Sequence, residues 1–454
     1  MNKQNRKVLV VGGNVAGLMA AVSAREEDAQ ADITVVSKEP HSPYRRPAIP
    51  SLIAGEITDL EEVAVFRPDY LSAQRINLQR GVEAVRLDVK DRSVQTRAIV
   101  SGEVDELHYE ALVLATGSYP PVPRIKGADK AGVCTFTTYE AAKQIIEFAE
   151  HSSTAVVVGA GFIALEIAEA LMRKGLMVYF NVRSRILRRL LEPDLSAHLA
   201  ESFERRGLQM LTGESIGEIG GGEKVEFVTM GQEKIPASIV IFGTGVSPNV
   251  DLARAAGIEL GRSGAIRVDN RMQTSAKDIY AAGDCAESPD LATGEFLYSP
   301  VGSIAAMGGQ VAGANAAGGN RETPGFVRAQ TDKTLGQEIT SIGHSSTTAR
   351  DSGLQVKVHD LSQMTQDKEE TSLSRRYPAK VKVLVDTADR IVGAQVVTAK
   401  YASQYSYGLL RAVLQHMPLA DFLRDWKLPL DAAAGTMSLL SPRLSSWPPL
   451  HPSP

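Results

Sequence analysis

A strand, a glycine-rich turn and a helix occur in that order twice along this chain, and no other feature constrains its fold as strongly. The first unit runs KVLVV (Lys7–Val11), GGNVAG (Gly12–Gly17), an alanine-rich helix through Arg25, and a strand ITVV (Ile33–Val36). The second runs AVVV (Ala155–Val158), GAGFIA (Gly159–Ala164), LEIAEALMRKG (Leu165–Gly175) and MVYF (Met177–Phe180). Continuous β-branched runs with helices between them read as buried parallel strands of βαβ units, which makes the fold class α/β. A glycine turn between strand and helix lets backbone amides approach a pyrophosphate at the positive end of the helix. In the first loop Asn14 replaces the middle glycine, and Asn is the next best residue for a left-handed or tight turn. In the second loop Gly159, Gly161 and Ala164 match the fingerprint more closely, because alanine is small enough for helix–strand packing. Either loop alone also fits an ordinary tight βα turn.

The rest of the chain extends this grammar. ALVLATG (Ala111–Gly117) is a short buried strand ending in a small-residue turn, and IVIFGTG (Ile239–Gly245) repeats it. Pro120, Pro121 and Pro123 cannot continue a sheet or a helix, so a boundary is expected there. DIYAAGD (Asp278–Asp284) and a Gly/Ala-rich helix over Ser303–Ala317 follow. From Gly325 onward the pattern changes, and VKVLVD (Val381–Asp386) and IVGAQVV (Ile391–Val397) predict an antiparallel sheet with a helix after it. The expected organisation is one discontinuous dinucleotide domain (1–120 and 246–322), a second one (121–245), a C-terminal α+β domain (323–440) and a Pro/Ser-rich tail (441–454).

Composition narrows the class of protein. With 454 residues, 43% apolar and 22% charged, the chain is expected to be a soluble, cytoplasmic, multidomain protein. A net charge of -4 gives no reason to expect a nucleic-acid or anionic-membrane partner. No stretch approaches the ~18 apolar residues of a membrane span, and the apolar run after MNKQNRK is too short for a secretion signal. Cys134 and Cys285 are too few for a disulfide framework or a four-ligand metal site, so no metal is expected.

The order of these motifs resembles the pyridine nucleotide–disulfide oxidoreductase superfamily over roughly residues 5–320. TSAKDIYAAGDCAE (Thr274–Glu287) and VIFGTGVSPNVDLARAAGIELG (Val240–Gly261) carry the resemblance most specifically. It implies two Rossmann-like domains, for FAD and for NAD(P)H, and a C-terminal α+β interface domain through which a homodimer would form. FAD would lie at Gly12, Gly13, Asn14, Ala16 and Gly17, pass Ala115, Thr116 and Gly117, and reach Gly283 and Asp284, whose carboxylate would accept from a ribityl hydroxyl. The nicotinamide dinucleotide would lie at Gly159, Gly161, Phe162, Ile163 and Gly245. Phe162 and Glu166 are four residues apart on one helix face. The resemblance makes Phe162 a cover for the flavin and Glu166 a partner of the nicotinamide carboxamide, although Phe162 also fits plain core.

An acid at the end of the second strand usually accepts from an adenosine ribose. Ser37 holds that slot in the FAD unit, leaving Glu39 as a substitute or as a solvated turn residue. Asn181 holds it in the nicotinamide unit, followed by Arg183, Arg185 and Arg188. Losing the acid removes repulsion against a 2′-phosphate, and arginine pairs with one bidentately, which favours NADPH unless the loop is only a solvated basic turn.

Within the superfamily the chain most resembles coenzyme A disulfide reductase, NADH oxidase and NADH peroxidase, which carry a redox cysteine after the first unit. Here the segment reads Tyr44, Arg45, Arg46, Pro47, Ala48, Ile49, Pro50, and Pro47 fills the cysteine slot. Val15 stands where the peroxidase histidine would be. Proline has no sulfur, so thiolate attack on disulfide or peroxide is excluded at this position. HSPYRRPAIPS (His41–Ser51) also resembles a segment of ferredoxin-reductase-type flavoproteins, which pass electrons to protein carriers without a cysteine. That resemblance puts Tyr44, Arg45 and Arg46 near the exposed side of the flavin, with Arg46 and Pro47 at the cofactor, and makes Trp447 in the tail a candidate anchor for a partner.

The expected function is an FAD-dependent NAD(P)H oxidoreductase that exchanges hydride between nicotinamide and flavin. Its other partner is expected to be an iron–sulfur protein or a subunit of a larger complex, such as a tungsten-type aldehyde oxidoreductase. A stand-alone, thiol-independent NAD(P)H oxidase or small-molecule reductase is the alternative, and a scaffold that keeps the dinucleotide fold without turnover is a third reading.

Overall fold

The computed structural model describes residues 5–365 and 377–425, so the expected tail and Trp447 lie outside the described residues. The chain divides into two compact units, Met1–Gln330 and Thr331–Pro454.

The first unit holds two five-stranded parallel sheets. One has the spatial order Ile279–Ala281, Ala111–Leu114, Lys7–Val11, Asp32–Ser37, Ile76–Arg80. The other has the order Gln209–Thr212, Met177–Val182, Thr154–Val158, Ile239–Phe242, Val133–Thr135. The chain therefore leaves the first sheet after Leu114, builds the second, and returns to the first at Ile279. Strands such as Ala111–Leu114 and Ile239–Phe242 are buried along their whole length. Helices cover both faces of a parallel sheet, which is why these strands are uniformly apolar instead of alternating. Two small antiparallel sheets, Val82–Asp88 with Ser93–Ala98 and Val104–His108, and Ile219–Gly220 with Phe227–Met230 and Glu233–Pro236, are added to this unit.

Two helices of the first unit meet backbone to backbone. The loop helix Val15–Glu27 packs along the Gly/Ala-rich helix Gly302–Ala316. A Cβ at Gly309 would fall 2.3 Å from the Ala16 carbonyl oxygen, and one at Gly313 would fall 1.9 Å from that of Ala20. Only glycine at both positions permits this approach, and alanines at 16 and 20 complete it from the other side.

The second unit is an antiparallel sheet, ordered Ala329–Thr334, Gln337–Gly343, Ile391–Thr398, Lys380–Val385, Lys357–Asp360. The helix Ala402–Leu414 packs on its two central strands Gln337–Gly343 and Ile391–Thr398. The division between units falls at Gln330, later than the boundary expected at 322. The reason is local: Phe326 is buried in the core of the first unit, bridges to Asp290, and is followed by Arg328, whose guanidinium donates to the Arg189 carbonyl at 3.3 Å.

Close helix packing makes a stability prediction. Gly313→Ala should lower stability by about 1–3 kcal/mol, the usual cost of overpacking, seen as a drop in the thermal midpoint. Gly308→Ala, on the same helix but meeting only side-chain atoms, the Met272 Cε at 3.4 Å and the Ala282 Cβ at 3.6 Å, should leave it near the wild-type value or above. Equal effects from the two substitutions would contradict the packing argument.

Candidate functional site

Each glycine loop is set against the turn of a neighbouring strand. A Cβ at Gly12 would lie 2.0 Å from the Ala115 carbonyl oxygen, and one at Gly159 would lie 2.4 Å from that of Gly243. The two strand–glycine–helix units thus repeat not only in sequence but in the contact that requires glycine. A Cβ at Gly17 would meet the Gly12 carbonyl oxygen at 1.8 Å, and one at Gly13 would meet the Ser37 Cβ at 2.5 Å. Ala16 sits against Gly283, where an added Cβ would lie 2.8 Å from its own. The structure therefore brings Gly12, Gly13, Asn14, Ala16 and Gly17 together with Ala115 and Gly283.

Asn14 works differently from the expectation of a left-handed turn. Its φ of -113° and ψ of -164° are extended, and it caps the helix Val15–Glu27. Its Oδ1 accepts from the Val15 amide at 2.7 Å while its Nδ2 donates to the Tyr44 carbonyl at 3.3 Å. Replacing glycine by asparagine thus ties the loop to the segment His41–Ser51, and no left-handed residue is needed there.

Asp284 is largely buried, and its Oδ2 accepts from the Ser118 hydroxyl at 2.9 Å. Burial raises its carboxyl above the usual range, opposed by the Ser118 bond and by the Arg46 charge. Ser118 was not among the residues expected from sequence, although it directly follows the ATG turn. Thr116 donates to the Asn249 carbonyl at 2.6 Å, and Ser118–Tyr119 pairs with Ser247–Pro248. These contacts tie the end of the first ATG-type turn to the segment after the second.

Glu39 is half-buried and paired. Its Oε1 accepts from Arg46 at 3.1 Å, and the Tyr44 hydroxyl also bonds to its carboxylate. The same hydroxyl accepts from the Tyr139 amide at 3.0 Å, at the start of the helix Tyr139–Glu150. Tyr44 is only 1% exposed, so its ring lies inside the fold. Its hydroxyl is turned inward because it completes bonds to Glu39 and to the helix start, and burial pushes its pKa upward. Arg45 and Pro47 are exposed, and Arg46 is half-buried with its Nε sealed from solvent and without a partner among the described residues.

On the second loop, a Cβ at Gly161 or Gly245 would meet nothing within 4 Å, so open space stands beside both. Phe162 and Glu166 are half-buried, and Ile163 is 42% exposed despite its size. The short helix Ile49–Ile53, which follows Pro47, packs against the helix Phe162–Arg173 that begins at this loop. Arg173 reinforces the contact through an ion pair with Glu56, just beyond the short helix, and also pairs with Glu169 within its own helix.

Two expected nucleotide-reading residues are engaged elsewhere. Asn181 is 1% exposed, and its Nδ2 donates to the Glu214 carbonyl at 2.8 Å and the Leu211 carbonyl at 3.3 Å. Its side chain belongs to the join between neighbouring strands and is not presented to a ribose. Arg185 donates to the Leu191 carbonyl, the Ser196 hydroxyl and the Arg188 carbonyl, fixing the 185–196 turn. Arg183 and Arg188 remain exposed. Cys134 and Cys285 are both buried, and burial pushes the Cys134 thiol up to about 11 and raises that of Cys285. Among the described residues no group of His, Cys, Asp or Glu could hold a metal ion, and no helix is long and apolar enough to cross a membrane.

The Asn181 geometry has a pH-dependent consequence. Asn181→Asp puts a carboxyl against two carbonyl oxygens, where its neutral form donates one bond and its ionised form is repelled. The folded-state pKa is then raised above the unfolded value, so stability falls as pH rises through the normal carboxylate range. Calorimetry should show a loss of about 3 kcal/mol or more at pH 7 and a smaller loss at pH 4. Equal losses at the two pH values would show that the side chain is solvated.

Comparison with known proteins places this geometry in a family. The family model for pyridine nucleotide-disulphide oxidoreductases matches residues 6–295. An NADH oxidase of Methanocaldococcus jannaschii is 31% identical over 399 residues, covering 86% of this chain and 87% of that protein. The solved NAD-dependent persulfide reductase from A. fulgidus is 30% identical, with a TM-score of 0.83 over 91% of this chain and 78% of that one. The assimilatory nitrate reductase electron transfer subunit of Bacillus subtilis is 30% identical over 290 residues, 63% of this chain and 36% of that protein. The chain belongs to the pyridine nucleotide-disulphide oxidoreductase family.

Proposed function

We propose that this protein is an FAD-dependent NAD(P)H oxidoreductase that works without a redox thiol and exchanges electrons with an iron–sulfur protein or subunit. The observation that carries the reading is Pro47. It is exposed at the head of the helix Ile49–Ile53, which packs on the helix of the second glycine loop, in the slot where the resembling disulfide reductases hold their cysteine. Neither cysteine of the chain replaces it, because both are buried with raised thiol pKa values.

The residues present fit both cofactors. At the first loop, Gly12, Gly13 and Gly17 sit where any Cβ would collide with protein, the Arg46 Nε is sealed without a partner, and the Asp284 carboxylate is held by Ser118 in a buried position. Gly12, Gly13, Asn14, Ala16, Gly17, Ala115, Gly117, Gly283 and Asp284 are proposed to hold FAD, with the Glu39–Arg46 pair aligning the arginine toward its negative charge. At the second loop, the space beside Gly161 and Gly245 would take the dinucleotide, with Phe162, Ile163 and Glu166 at its edge. Exposed Arg183 and Arg188 are positioned to meet a 2′-phosphate, which favours NADPH. A bound flavin accepts a pair of electrons as hydride and can release them singly, which suits conversion between nicotinamide and one-electron carriers. The protein's own contribution is to align the two cofactors and exclude water from between them.

The Bacillus subtilis relative is named as an electron transfer subunit, which supports a protein partner; a tungsten-type aldehyde oxidoreductase complex would supply an iron–sulfur subunit of the required kind. The exposed outer face of the helix Ala402–Leu414, carrying Tyr407 and Leu414, is the surface proposed for a homodimer. A thiol-free NAD(P)H oxidase is the second reading, favoured by the name of the Methanocaldococcus jannaschii relative.

Stopped-flow reoxidation of the reduced protein separates these readings. An iron–sulfur protein should reoxidise the flavin faster than oxygen does. Arg45→Glu should slow that step about tenfold at low ionic strength and less at high salt, as expected for steering of an acidic carrier. Fast reoxidation by oxygen, with no acceleration by any iron–sulfur protein, would instead support the oxidase.

A further inference from the structure

We propose that Arg185 is a specificity-determining positioning residue, which fixes the backbone of Arg188 so that its guanidinium meets a 2′-phosphate at a set distance from the second glycine loop. This role rests on the NADPH reading and extends it to a residue that acts through another. The turn after the strand Met177–Val182 is pinned at three consecutive residues, 187, 188 and 189. The Leu187 amide donates to the carbonyl of Ala160, inside the glycine loop, at 2.6 Å. Arg185 donates through Nη2 to the Arg188 carbonyl at 3.1 Å, and Arg328 donates to the Arg189 carbonyl at 3.3 Å. Arg185 also reaches across the turn, with Nη1 donating to the Leu191 carbonyl at 2.6 Å and to the Ser196 hydroxyl at 2.8 Å. That hydroxyl in turn donates to the Ile186 carbonyl at 2.8 Å, which joins the turn to the helix Pro193–Glu204.

Leu187 shows how firmly the turn is held. It is 1% exposed with a φ of 50°, in the left-handed region that side chains disfavour. The amides of Leu190 and Leu191 donate to its carbonyl at 2.8 and 2.9 Å, so the peptide groups on both sides of it keep it there. Arg188 is the contrast. Its backbone is fixed, yet its side chain is exposed and has no partner among the described residues. A cation on a fixed backbone has less freedom to lose when it orders on a ligand. The ligand chemistry that suits it is a phosphate monoester, whose oxygens accept from a guanidinium in pairs. NADPH carries that group on its adenosine ribose and NADH carries a hydroxyl there, so the turn separates the two while the glycine loop serves both. Lysine cannot copy Arg185, because a planar guanidinium presents donors to Arg188 on one side and to Leu191 and Ser196 on the other, whereas an ammonium is a single point.

Steady-state kinetics of the FAD-loaded protein with NADPH and with NADH, using a quinone dye as acceptor, provide the test. Arg185→Lys keeps the positive charge, yet it should raise the KM for NADPH about fivefold to tenfold and that for NADH less than about twofold. In an Arg188→Ala background the same substitution should move the NADPH-to-NADH ratio of kcat/KM by less than about twofold, because the group it positions is gone. If Arg185→Lys does not fold, Ser196→Ala reads the same contrast, since it removes the hydroxyl that Arg185 and the Ile186 carbonyl share. An unchanged NADPH KM, an equal rise for both nucleotides, or an undiminished effect in the Arg188→Ala background would overturn the proposal while leaving the NADPH reading intact. A ratio that Arg188→Ala alone does not move would overturn that reading, and the role of Arg185 with it.

Discussion

The site in the first unit depends on a backbone-to-backbone contact between two helices. Gly309 and Gly313 let the helix Gly302–Ala316 lie on Ala16 and Ala20 of the helix Val15–Glu27 at a distance no side chain allows. Ala16 is therefore held from two sides, by Gly309 and by Gly283, and the capped start of its helix is fixed beside Asp284. Small residues give up side-chain burial here. What they gain is a rigid placement of a helix N-terminus, whose unpaired amides and partial positive charge suit a pyrophosphate. Because interiors pack as densely as organic crystals, a displacement of either helix would be felt at Gly283 and so at the neighbouring Asp284.

The same unit joins its two parallel sheets through polar contacts. Thr116 to Asn249, and Ser118–Tyr119 to Ser247–Pro248, link the paired strand-end turns. A second link runs from the Tyr139 amide to the Tyr44 hydroxyl, on to the Glu39 carboxylate, and from there to Arg46. The start of a helix that packs beside the second sheet is thus connected by hydrogen bonds to an arginine at the first glycine loop. Glu39 had two readings in the sequence, ribose acceptor or solvated turn. The structure gives it a third role, holding Tyr44 and Arg46 in place.

Backbone periodicity and turn chemistry were readable from sequence, because a parallel strand buried on both faces must be apolar throughout and a glycine loop must precede its helix. All four strands of the two units, and the return strand at Ile279–Ala281, follow from that rule. Side-chain direction was not readable in the same way. Asn181 ends a strand in the slot that usually meets a ribose, yet its amide turns toward Leu211 and Glu214 because those carbonyls need a donor. Arg185 looked like part of a phosphate-binding cluster but spends its donors on the backbone of its own turn. Tyr44 stands beside two arginines in sequence, and it is buried with its hydroxyl accepting from the amide at a helix start far along the chain. Ser118 carried no motif, since its importance arises only from where Asp284 lies.

In the proposed function, Pro47 sets what kind of flavoprotein this site is. On the proposed reading, with Pro47 in the position of a redox cysteine and both cysteines buried, electrons are held on the flavin alone. The consequence is stoichiometric and independent of the physiological partner. Anaerobic titration of the oxidised protein with dithionite or NAD(P)H measures it directly. The account predicts that two electrons per subunit complete the reduction, with no thiolate-to-flavin charge-transfer band. Uptake of four electrons per subunit, or such a band, would contradict it.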